Sequence, residues 1–324
     1  MTPPHARQTF AGATVAALKA DRSRIVLTGA GGWLGLATLE LLHNALGNCL
    51  ADRVMCYGSS HRRLTLRSGV SIDQHPLARL SELDAQPTMV LHLAFLTKDR
   101  VADMDADAYT AANAALSALV LEALDRIGTT GVFVASSGAA RFVDDPNAAP
   151  AMRLYGSLKR RDETAFVNWA ERRGRVAVVT RIFNVAGPYI NKHQAYALAS
   201  FIKDALAGRP IEVRAPHRVV RGYVAIRELM SLVFLLLLGN RQISRFDTGG
   251  TPLELADVAA AVGREIGGVS VTRAPISSDR VDSYRGDAVH YNALLARHGI
   301  AAVPLAEQIR DTADSLIAGS KPCG

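Results

Sequence analysis

Short apolar runs alternate with longer amphipathic stretches along most of the chain. The short runs are rich in β-branched residues, as buried strands of a parallel sheet are. They lie at residues 25–27, 53–57, 69–73, 88–94, 131–136 and 175–182. Helical patterns lie between them, and the longest covers residues 102–127. This alternation predicts an α/β fold with a doubly wound parallel sheet and right-handed crossovers.

A glycine turn connects the first predicted strand to a helical pattern. Gly29, Gly32 and Gly35 follow the strand at a spacing of three, and leucines recur on one helical face from Trp33 onward. Such a turn lets the backbone approach a ligand, and the free N–H groups at the helix N-terminus bind negative charge. The pattern predicts a site for the pyrophosphate of a dinucleotide. A flexible glycine loop is the alternative interpretation.

The residues after the second predicted strand bear on which dinucleotide binds. An NAD site usually has a carboxylate there, which accepts hydrogen bonds from ribose hydroxyl groups. Here Ser59, Arg62 and Arg63 lie in a stretch, residues 58–63, that contains no acidic residue. Serine hydroxyls and a guanidinium would bind a 2′-phosphate that a carboxylate would repel. The sequence therefore favours NADP(H), with NAD(H) as the alternative. A solvated polar turn is the interpretation without a ligand.

A second group of polar residues follows the strand at 131–136. Ser137 comes at the carboxyl end of this strand, where ligands collect in open α/β sheets. Tyr155 and Lys159 are four residues apart, so they share one face of the next helix. A nearby ammonium favours the phenolate, so we expect Lys159 to lower the pKa of Tyr155. That would make the tyrosine a proton donor or acceptor near neutral pH.

These motifs together resemble the extended branch of the short-chain dehydrogenase/reductase family, which includes sugar-nucleotide epimerases, dehydratases and reductases. The resemblance covers nearly the whole chain from residue 24. It implies a Rossmann-type sheet with a smaller, discontinuous C-terminal substrate-binding lobe, and a catalytic triad of Ser137, Tyr155 and Lys159. The implied cofactor-binding residues are Gly29, Gly32, Trp33, Leu34, Gly35, Ser59, Arg62, Arg63, Asp73, Gln74, Leu93, Ala94, Asn113, Tyr155, Lys159 and Phe183.

Later motifs resemble the substrate-binding segments of the same family. Residues 181–188 match a family signature whose asparagine touches the substrate, and that asparagine is Asn184 here. Arg221 and Arg285 resemble the arginines that bind the diphosphate of a sugar nucleotide. The resemblance therefore implies that Ser137, Asn184, Arg221 and Arg285 contact an anionic small-molecule substrate.

Departures from the family motifs exclude some of the reactions that family members catalyse. Family 4,6-dehydratases carry an Asp-Glu pair directly after the serine, where this chain has Gly138 and Ala139. Members that epimerise C3 and C5 before reduction carry a cysteine after the serine and a histidine after Gly-Pro. This chain has Gly138 and Tyr189 at those two places. Glycine and alanine cannot exchange protons, so the dehydratase chemistry lacks its acid and base, and the second kind lacks its cysteine and histidine.

We therefore expect an NADPH-dependent ketoreductase of a nucleotide-linked keto-(deoxy)sugar, with Tyr155 as the general acid. One alternative is an NAD-dependent nucleotide-sugar 4-epimerase, which uses the same triad without net consumption of cofactor. Another is a reductase of a carbonyl compound that carries no nucleotide. A catalytically idle NADP-binding or scaffolding protein is a further alternative, against which the intact triad argues.

Composition and charge limit the choice of partners. The 324 residues carry a formal net charge of +7 at pH 7, which suits an anionic ligand. We expect no nucleic-acid partner, because the sequence has no dense basic run. The three cysteines have no metal or disulfide spacing, which predicts a reducing, cytoplasmic location and no metal. The apolar run at 229–238 is too short to span a membrane, so we expect a buried helix and no membrane partner.

The alternation of short apolar runs and helical patterns changes after Pro188. A helix is expected at 195–207, followed by a short segment at 210–213 and a mixed pattern to the end. A smaller lobe that covers the substrate would account for this change. The expected domains are an N-terminal leader at 1–23, a dinucleotide-binding Rossmann domain at 24–183 and 219–250, and a substrate-binding lobe at 184–218 and 251–324. We expect the chain to form a homodimer.

Overall fold

The computed structural model describes residues 8–97, 104–239 and 242–319. The strands are β1 (Arg24–Thr28), β2 (Val54–Gly58), β3 (Arg62–Thr65), β4 (Ser71–Pro76), β5 (Thr88–His92), β6 (Thr129–Ser137), β7 (Val176–Ile182), β8 (Asn184–Ala186), β9 (Ile211–Val213), β10 (Arg218–Arg221), β11 (Tyr223–Ala225), β12 (Ile243–Asp247), β13 (Leu253–Glu254), β14 (Val271–Arg273) and β15 (Val281–Tyr284). The helices are α1 (Gly12–Ala20), α2 (Trp33–Leu46), α3 (Leu50–Arg53), α4 (Ala106–Arg126), α5 (Pro150–Arg173), α6 (Ala197–Leu206), α7 (Ile226–Leu237), α8 (Leu255–Ile266), α9 (Ala288–Arg297) and α10 (Leu305–Gly319).

An eight-stranded sheet forms the centre of the larger domain. Its strand order is β12-β7-β6-β5-β1-β2-β4-β3, and the pairs are parallel except for β3 against β4. The predicted α/β, Rossmann-type fold is confirmed. The order reverses direction between β1 and β5, so the carboxyl ends of these two strands flank a crevice where ligands of open α/β sheets bind.

Helices cover both faces of this sheet. α1, α2 and α7 pack on one face, and α4 and α5 pack on the other. All five residues of β1 are buried, as expected for a strand covered on both faces. The ring of Phe10 meets that of Phe234 on α7 edge to face at 5.3 Å. The described part of the expected leader therefore packs into the core of the large domain.

The connection from β2 to β4 differs from the sequence expectation. Instead of a crossover helix, it contains the antiparallel edge strand β3, which the sequence analysis missed. Leu64 is buried while Arg62, Arg63 and Thr65 are exposed, a charged edge that discourages pairing with another chain. The long helix expected at 102–127 is α4, and its expected start lies outside the described residues.

The smaller lobe contains three small sheets, with orders β13-β10-β15, β11-β8 and β14-β9. Helices α6, α8 and α10 pack around them over a separate apolar core. Residues 218–225 form β10 and β11 in these sheets, although the sequence analysis groups residues 219–250 with the Rossmann domain. The expected buried helix at 229–238 is α7. In the part of the chain that the structure describes, no helix is both long and apolar enough to cross a membrane.

Candidate active site

The three residues of the expected triad meet at the carboxyl end of β6. Ser137 is the last residue of β6, and its hydroxyl caps the following turn by accepting from Ala139 N at 3.2 Å. Tyr155 and Lys159 lie on α5, and the Ser137 hydroxyl is near enough to the phenol of Tyr155 to act on its pKa. The Lys159 ammonium donates to Ala135 O at 2.8 Å. A strand end and one helix face thus bring the triad together.

The protonation of the triad differs from the expectation. Burial raises the pKa of Tyr155, the nearby Tyr284 adds to this effect, and the hydrogen bond from Ser137 opposes it. Burial also lowers the pKa of Lys159 to about 8. The expected lowering of the Tyr155 pKa by Lys159 is therefore wrong, because burial is the largest cause of the shift and raises the pKa. Tyr155 is a protonated phenol here.

Phe95 is a site residue that the sequence analysis missed. It directly follows Ala94 after β5, and the Lys159 ammonium lies 3.6 Å from the centre of its ring. The same ring meets Tyr155 edge to face at 5.6 Å. An ammonium over an aromatic face is attracted by the ring quadrupole. Phe95 thus contacts both of the side chains of α5 that are expected to be catalytic, and only its place after the strand could have indicated it.

Tyr284 is the second residue that was missed. It ends β15 in the smaller lobe, and its hydroxyl lies 3.3 Å from the Ser137 hydroxyl. Its ring stacks on Phe142 at 5.8 Å and meets Phe183 at 4.9 Å. No local motif marks this tyrosine, because the packing of the lobe brings it to the serine.

The glycine turn has the shape that a pyrophosphate site requires. Gly29 has a φ of +71°, and a Cβ there would lie 2.7 Å from Ala94 N. A Cβ at Gly35 would clash with Ala30 O. Gly32 is the N-cap of α2, where no side chain caps the helix and no acidic residue lies in the first turn. These close approaches and the uncapped helix N-terminus fit a bound dinucleotide.

Gln74 joins the glycine turn to the loop after β2. Its side-chain oxygen accepts from Gly31 N at 3.1 Å, and its nitrogen donates to Ser60 O at 2.9 Å. A Cβ at Gly58 would clash with the Gln74 amide. The position where an NAD site usually has its acid is therefore filled by a neutral side chain from β4.

The residues expected around the ribose divide between the two faces of β3 and β4. Arg62 lies so close to the glycine turn that a Cβ on Gly31 would clash with its guanidinium. Arg63 is on the opposite face, where it is the register partner of Asp73 on β4. Ser59, Arg63 and Asp73 are exposed. The structure thus brings Arg62, rather than Arg63, to the turn.

Several of the remaining residues expected to bind the cofactor lie beside the crevice between β1 and β5 and fix its loops. Leu93 N donates to Thr28 O at 3.1 Å, which holds the chain after β5 beside β1. The Asn113 side chain accepts from Leu96 N at 2.8 Å and so fixes the same loop from α4. Trp33 and Leu34, in the first turn of α2, are partly buried.

Two of the expected substrate residues line one cavity. Asn184 donates to Tyr284 O at 2.8 Å, and Arg221 is paired with Asp282 at 2.9 Å. That pairing lowers the pKa of the Asp282 carboxyl. Asn184 and Arg221 lie on the wall of a cavity of about 120 Å³ in the smaller lobe. Arg285 is exposed, and its Nε donates to Ser283 Oγ at 3.2 Å. It is not among the residues that line this cavity.

Residues 25–246 match the NAD dependent epimerase/dehydratase family. One curated relative is UDP-glucuronic acid decarboxylase 3 of Arabidopsis thaliana, which is 29% identical over 111 residues. That alignment covers 33% of this chain and 31% of the length of that protein.

Alignments with solved structures of the same fold cover nearly the whole chain. UDP-glucose 4-epimerase of Thermus thermophilus, solved with NAD, is 22% identical with a TM-score of 0.66, over 92% of this chain and 100% of that one. UDP-N-acetylglucosamine 4-epimerase of Methanobrevibacter ruminantium, solved with UDP-N-acetylmuramic acid, is 18% identical with a TM-score of 0.70. The alignment covers 92% of this chain and 99% of that one. UDP-glucose 4-epimerase of Thermotoga maritima, solved with UDP-glucose, is 18% identical with a TM-score of 0.69. The alignment covers 92% of this chain and 100% of that one. These likenesses establish the fold.

Proposed function

The chain belongs to the NAD dependent epimerase/dehydratase family, and from this premise we propose that it is an NADPH-dependent ketoreductase of a nucleotide-linked keto sugar. Membership gives the enzyme class, a nicotinamide-dependent oxidoreductase type. The observation that carries the finer proposal is the packing at the adenine end of the crevice. There Gln74 occupies the space of the usual acid, and Arg62 lies against the glycine turn.

This packing favours the phosphorylated cofactor. A 2′-phosphate beside the turn would meet the Arg62 guanidinium, which forms strong charge-assisted hydrogen bonds with phosphate oxygens. No carboxylate can occupy position 58 to repel it while the Gln74 amide lies against Gly58. NADPH is the usual reductant of biosynthetic reductases, so the cofactor preference supports net reduction.

The catalytic side chains suit proton donation to a ketone. The nicotinamide, when bound, supplies the hydride equivalent for the keto carbon. Tyr155 donates the proton, because burial keeps its phenol protonated. Ser137 donates a hydrogen bond to the same oxygen, and Lys159 contributes the positive charge that stabilises the resulting tyrosinate.

The turn after Ser137 leaves no place for a dehydratase acid. A Cβ at Gly138 would lie 2.5 Å from the ring of Phe183. A larger side chain there would therefore have to displace Phe183, whose backbone N–H is held by Thr248 Oγ1 at 2.9 Å. This packing agrees with a reaction that needs no acid–base pair beside the serine.

The substrate end of the proposal rests on Arg221 and Asn184. Both line the cavity of the smaller lobe, and the Arg221 guanidinium is already matched to a carboxylate, that of Asp282. A diphosphate presents paired oxygens with similar geometry and could replace that carboxylate. We infer an anionic substrate of the sugar-nucleotide class.

The alternative function is a 4-epimerase with tightly held NAD. The structural neighbours named as 4-epimerases support this alternative, and the same three catalytic residues would serve it. An epimerase reoxidises its cofactor in each turnover, whereas a reductase consumes it. Cofactor stoichiometry therefore separates the two functions.

The deciding experiment begins with native mass spectrometry of the purified chain, which identifies any retained cofactor. The protein is then incubated with NADPH or NADH and a panel of 4-keto-6-deoxyhexoses linked to UDP, dTDP, CDP or GDP. We expect one equivalent of NADPH to be oxidised for each hydroxyl formed. Retained NAD, together with interconversion of UDP-glucose and UDP-galactose without net cofactor use, would instead establish the epimerase.

A further inference from the structure

The Ser137 hydroxyl has more neighbours than a catalytic serine needs. It accepts from Ala139 N at 3.2 Å and lies 3.3 Å from the Tyr284 hydroxyl, and it is near enough to the Tyr155 phenol to lower the pKa of that group. Ala139 and Tyr155 belong to the Rossmann domain. Tyr284 comes from β15 of the smaller lobe, so a side chain of the second lobe contacts the catalytic serine directly.

Either hydroxyl of the Ser137–Tyr284 contact can be the donor, and the catalytic role proposed for Ser137 requires that Tyr284 donate. A serine hydroxyl has one proton to donate and two lone pairs that accept. If Ala139 N–H and the Tyr284 O–H fill the two lone pairs, the single proton of Ser137 has one direction left. That direction is toward Tyr155, which is where the oxygen of a bound ketone would lie. Burial raises the pKa of Tyr284, so its phenol keeps the proton that it would donate.

The Tyr284 ring is held on several sides. Phe142 stacks on it with an interplanar angle of 21°, and Phe183 packs against it at 4.9 Å. The Asn184 amide donates to its carbonyl at 2.8 Å. In the ladder between β10 and β15, Tyr284 is the register partner of Arg221. A tyrosine fixed at both its ring and its backbone can place its hydroxyl reproducibly.

We propose that Tyr284 is a positioning residue that orients the Ser137 hydroxyl toward the reacting oxygen. It fills one lone pair of the serine, so that the serine proton is committed to the substrate rather than free to rotate. The inference rests on the proposed redox chemistry at Ser137 and Tyr155, and it holds for a ketoreductase and for a 4-epimerase alike. It does not depend on the identity of the sugar.

The contact itself can be tested without any substrate. Tyrosine labelled with ¹³C at Cζ gives resonances that report the hydrogen bonds of each phenol in the full chain, and single Tyr→Phe variants assign them. We expect Ser137→Ala to shift the Tyr284 and Tyr155 resonances, and Tyr284→Phe to shift the Tyr155 resonance. An unmoved Tyr284 resonance in Ser137→Ala would overturn the proposal.

Kinetics then test the positioning role. Tyr284→Phe keeps the ring between Phe142 and Phe183 and removes only the hydroxyl. We expect kcat to fall about tenfold or more with KM and cofactor affinity nearly unchanged, because the lost interaction serves the transition state. In a Ser137→Ala background, the same change should have no further effect on kcat. Tyr291→Phe, which removes another buried phenol, is the control and should keep the wild-type kcat.

The outcomes separate this inference from the proposed function. If the wild type forms a 4-epimer without consuming NADPH, the reductase proposal fails, and the rate of epimer formation replaces NADPH oxidation as the readout. If Tyr284→Phe and Ser137→Ala reduce kcat by factors that multiply in the double variant, Tyr284 acts independently of the serine and the positioning role is wrong. If Tyr284→Phe raises KM alone, it is a substrate contact instead.

Discussion

At the scale of single residues, the clearest contrast is between Arg62 and its neighbour Arg63. The first lies against Gly31 of the glycine turn, and the second points to the other face of the strand. Arg62→Ala should weaken NADPH binding by about 1–3 kcal/mol, which is roughly 5- to 150-fold in Kd, and leave NADH binding nearly unchanged. Titrations that follow nicotinamide fluorescence would measure both. Arg63→Ala is the matched control, with a smaller expected loss, and an equal loss of both cofactors in Arg62→Ala would contradict a 2′-phosphate contact.

Lys159 leads to a prediction about pH. Burial lowers its pKa to about 8, so its ammonium loses a proton as the pH rises through that value. The charge that we propose stabilises the tyrosinate is then lost, and kcat for the proposed ketone reduction should fall above about pH 8. A pH–rate profile of kcat would show this decline in the wild type and in Ser137→Ala, but not in Lys159→Met. A flat wild-type profile between pH 7 and 9 would mean that the ammonium charge is not needed.

The residues that sequence reasoning could find are those marked by local spacing. Tyr155 and Lys159 are four positions apart on a helix, and Ser137 ends a buried strand, so short-range rules place all three. Phe95 and Tyr284 carry no such mark, since an aromatic side chain after a strand is common and its contacts depend on distant packing. The raised pKa of Tyr155 could not be predicted from the sequence either, because it results from burial, which is a property of the folded molecule.

At the scale of elements, the connection between β2 and β4 determines which side chain can occupy the place where an NAD site usually has its carboxylate. The antiparallel strand β3 and the Gln74 side chain fill this region in place of a helix. Periodicity alone gave no sign of β3, because a four-residue edge strand with one buried side chain has too few positions to show alternation. The parallel strands were predictable because each is a continuous apolar run.

This packing predicts a coupled pair of substitutions. Gly58→Asp alone should destabilise the protein by roughly 1–3 kcal/mol, because the new side chain collides with the Gln74 amide. Adding Gln74→Ala removes the collision, so the double variant should regain stability and bind NADH more tightly than NADPH. Thermal unfolding and cofactor titration would follow the two effects. Unchanged NADPH preference in a stable double variant would mean that the carboxylate is not the deciding group.

Helix α7 carries a buried carboxyl whose titration should be visible in stability. Burial raises the pKa of Glu228 from 4.5 to about 7, although the Val303 backbone N–H and the Tyr291 hydroxyl oppose this effect. The folded state therefore binds the proton more tightly than the unfolded chain does, and the stabilisation is complete below pH 4.5. It is lost as the pH rises from 4.5 to about 7.

Glu228→Gln should remove the loss of stability that ionisation of Glu228 causes as the pH rises. Relative to wild type, its free energy of unfolding should change little at pH 4.5 and gain up to about 3 kcal/mol at pH 8. Urea unfolding of both proteins across this range gives the difference directly, in which contributions of all other titrating groups cancel. A constant difference across the pH range would show that Glu228 keeps its ordinary pKa in the folded state.

At the scale of the whole molecule, the small strand β15 of the smaller lobe also contacts the Rossmann domain. Asp282 on this strand pairs with Arg221, and Tyr284 two residues later lies beside Ser137. Residues two apart on a strand point to the same face, so the cavity beside Arg221 and the Ser137 hydroxyl are linked through one short element. A ligand that takes Arg221 from Asp282 would therefore act on the strand that carries Tyr284.

This arrangement predicts competition between Asp282 and an anionic ligand. Asp282→Asn removes the carboxylate that occupies the Arg221 guanidinium, so UDP and inorganic pyrophosphate should bind about tenfold more tightly. Arg221→Lys should bind both about tenfold more weakly, because an ammonium cannot replace the paired donors of a guanidinium. Isothermal titration calorimetry at two salt concentrations would measure these changes, with Arg285→Lys as the control at an exposed arginine. If Asp282→Asn leaves both affinities unchanged, the Arg221–Asp282 pair only holds β10 to β15, and the diphosphate must be bound elsewhere.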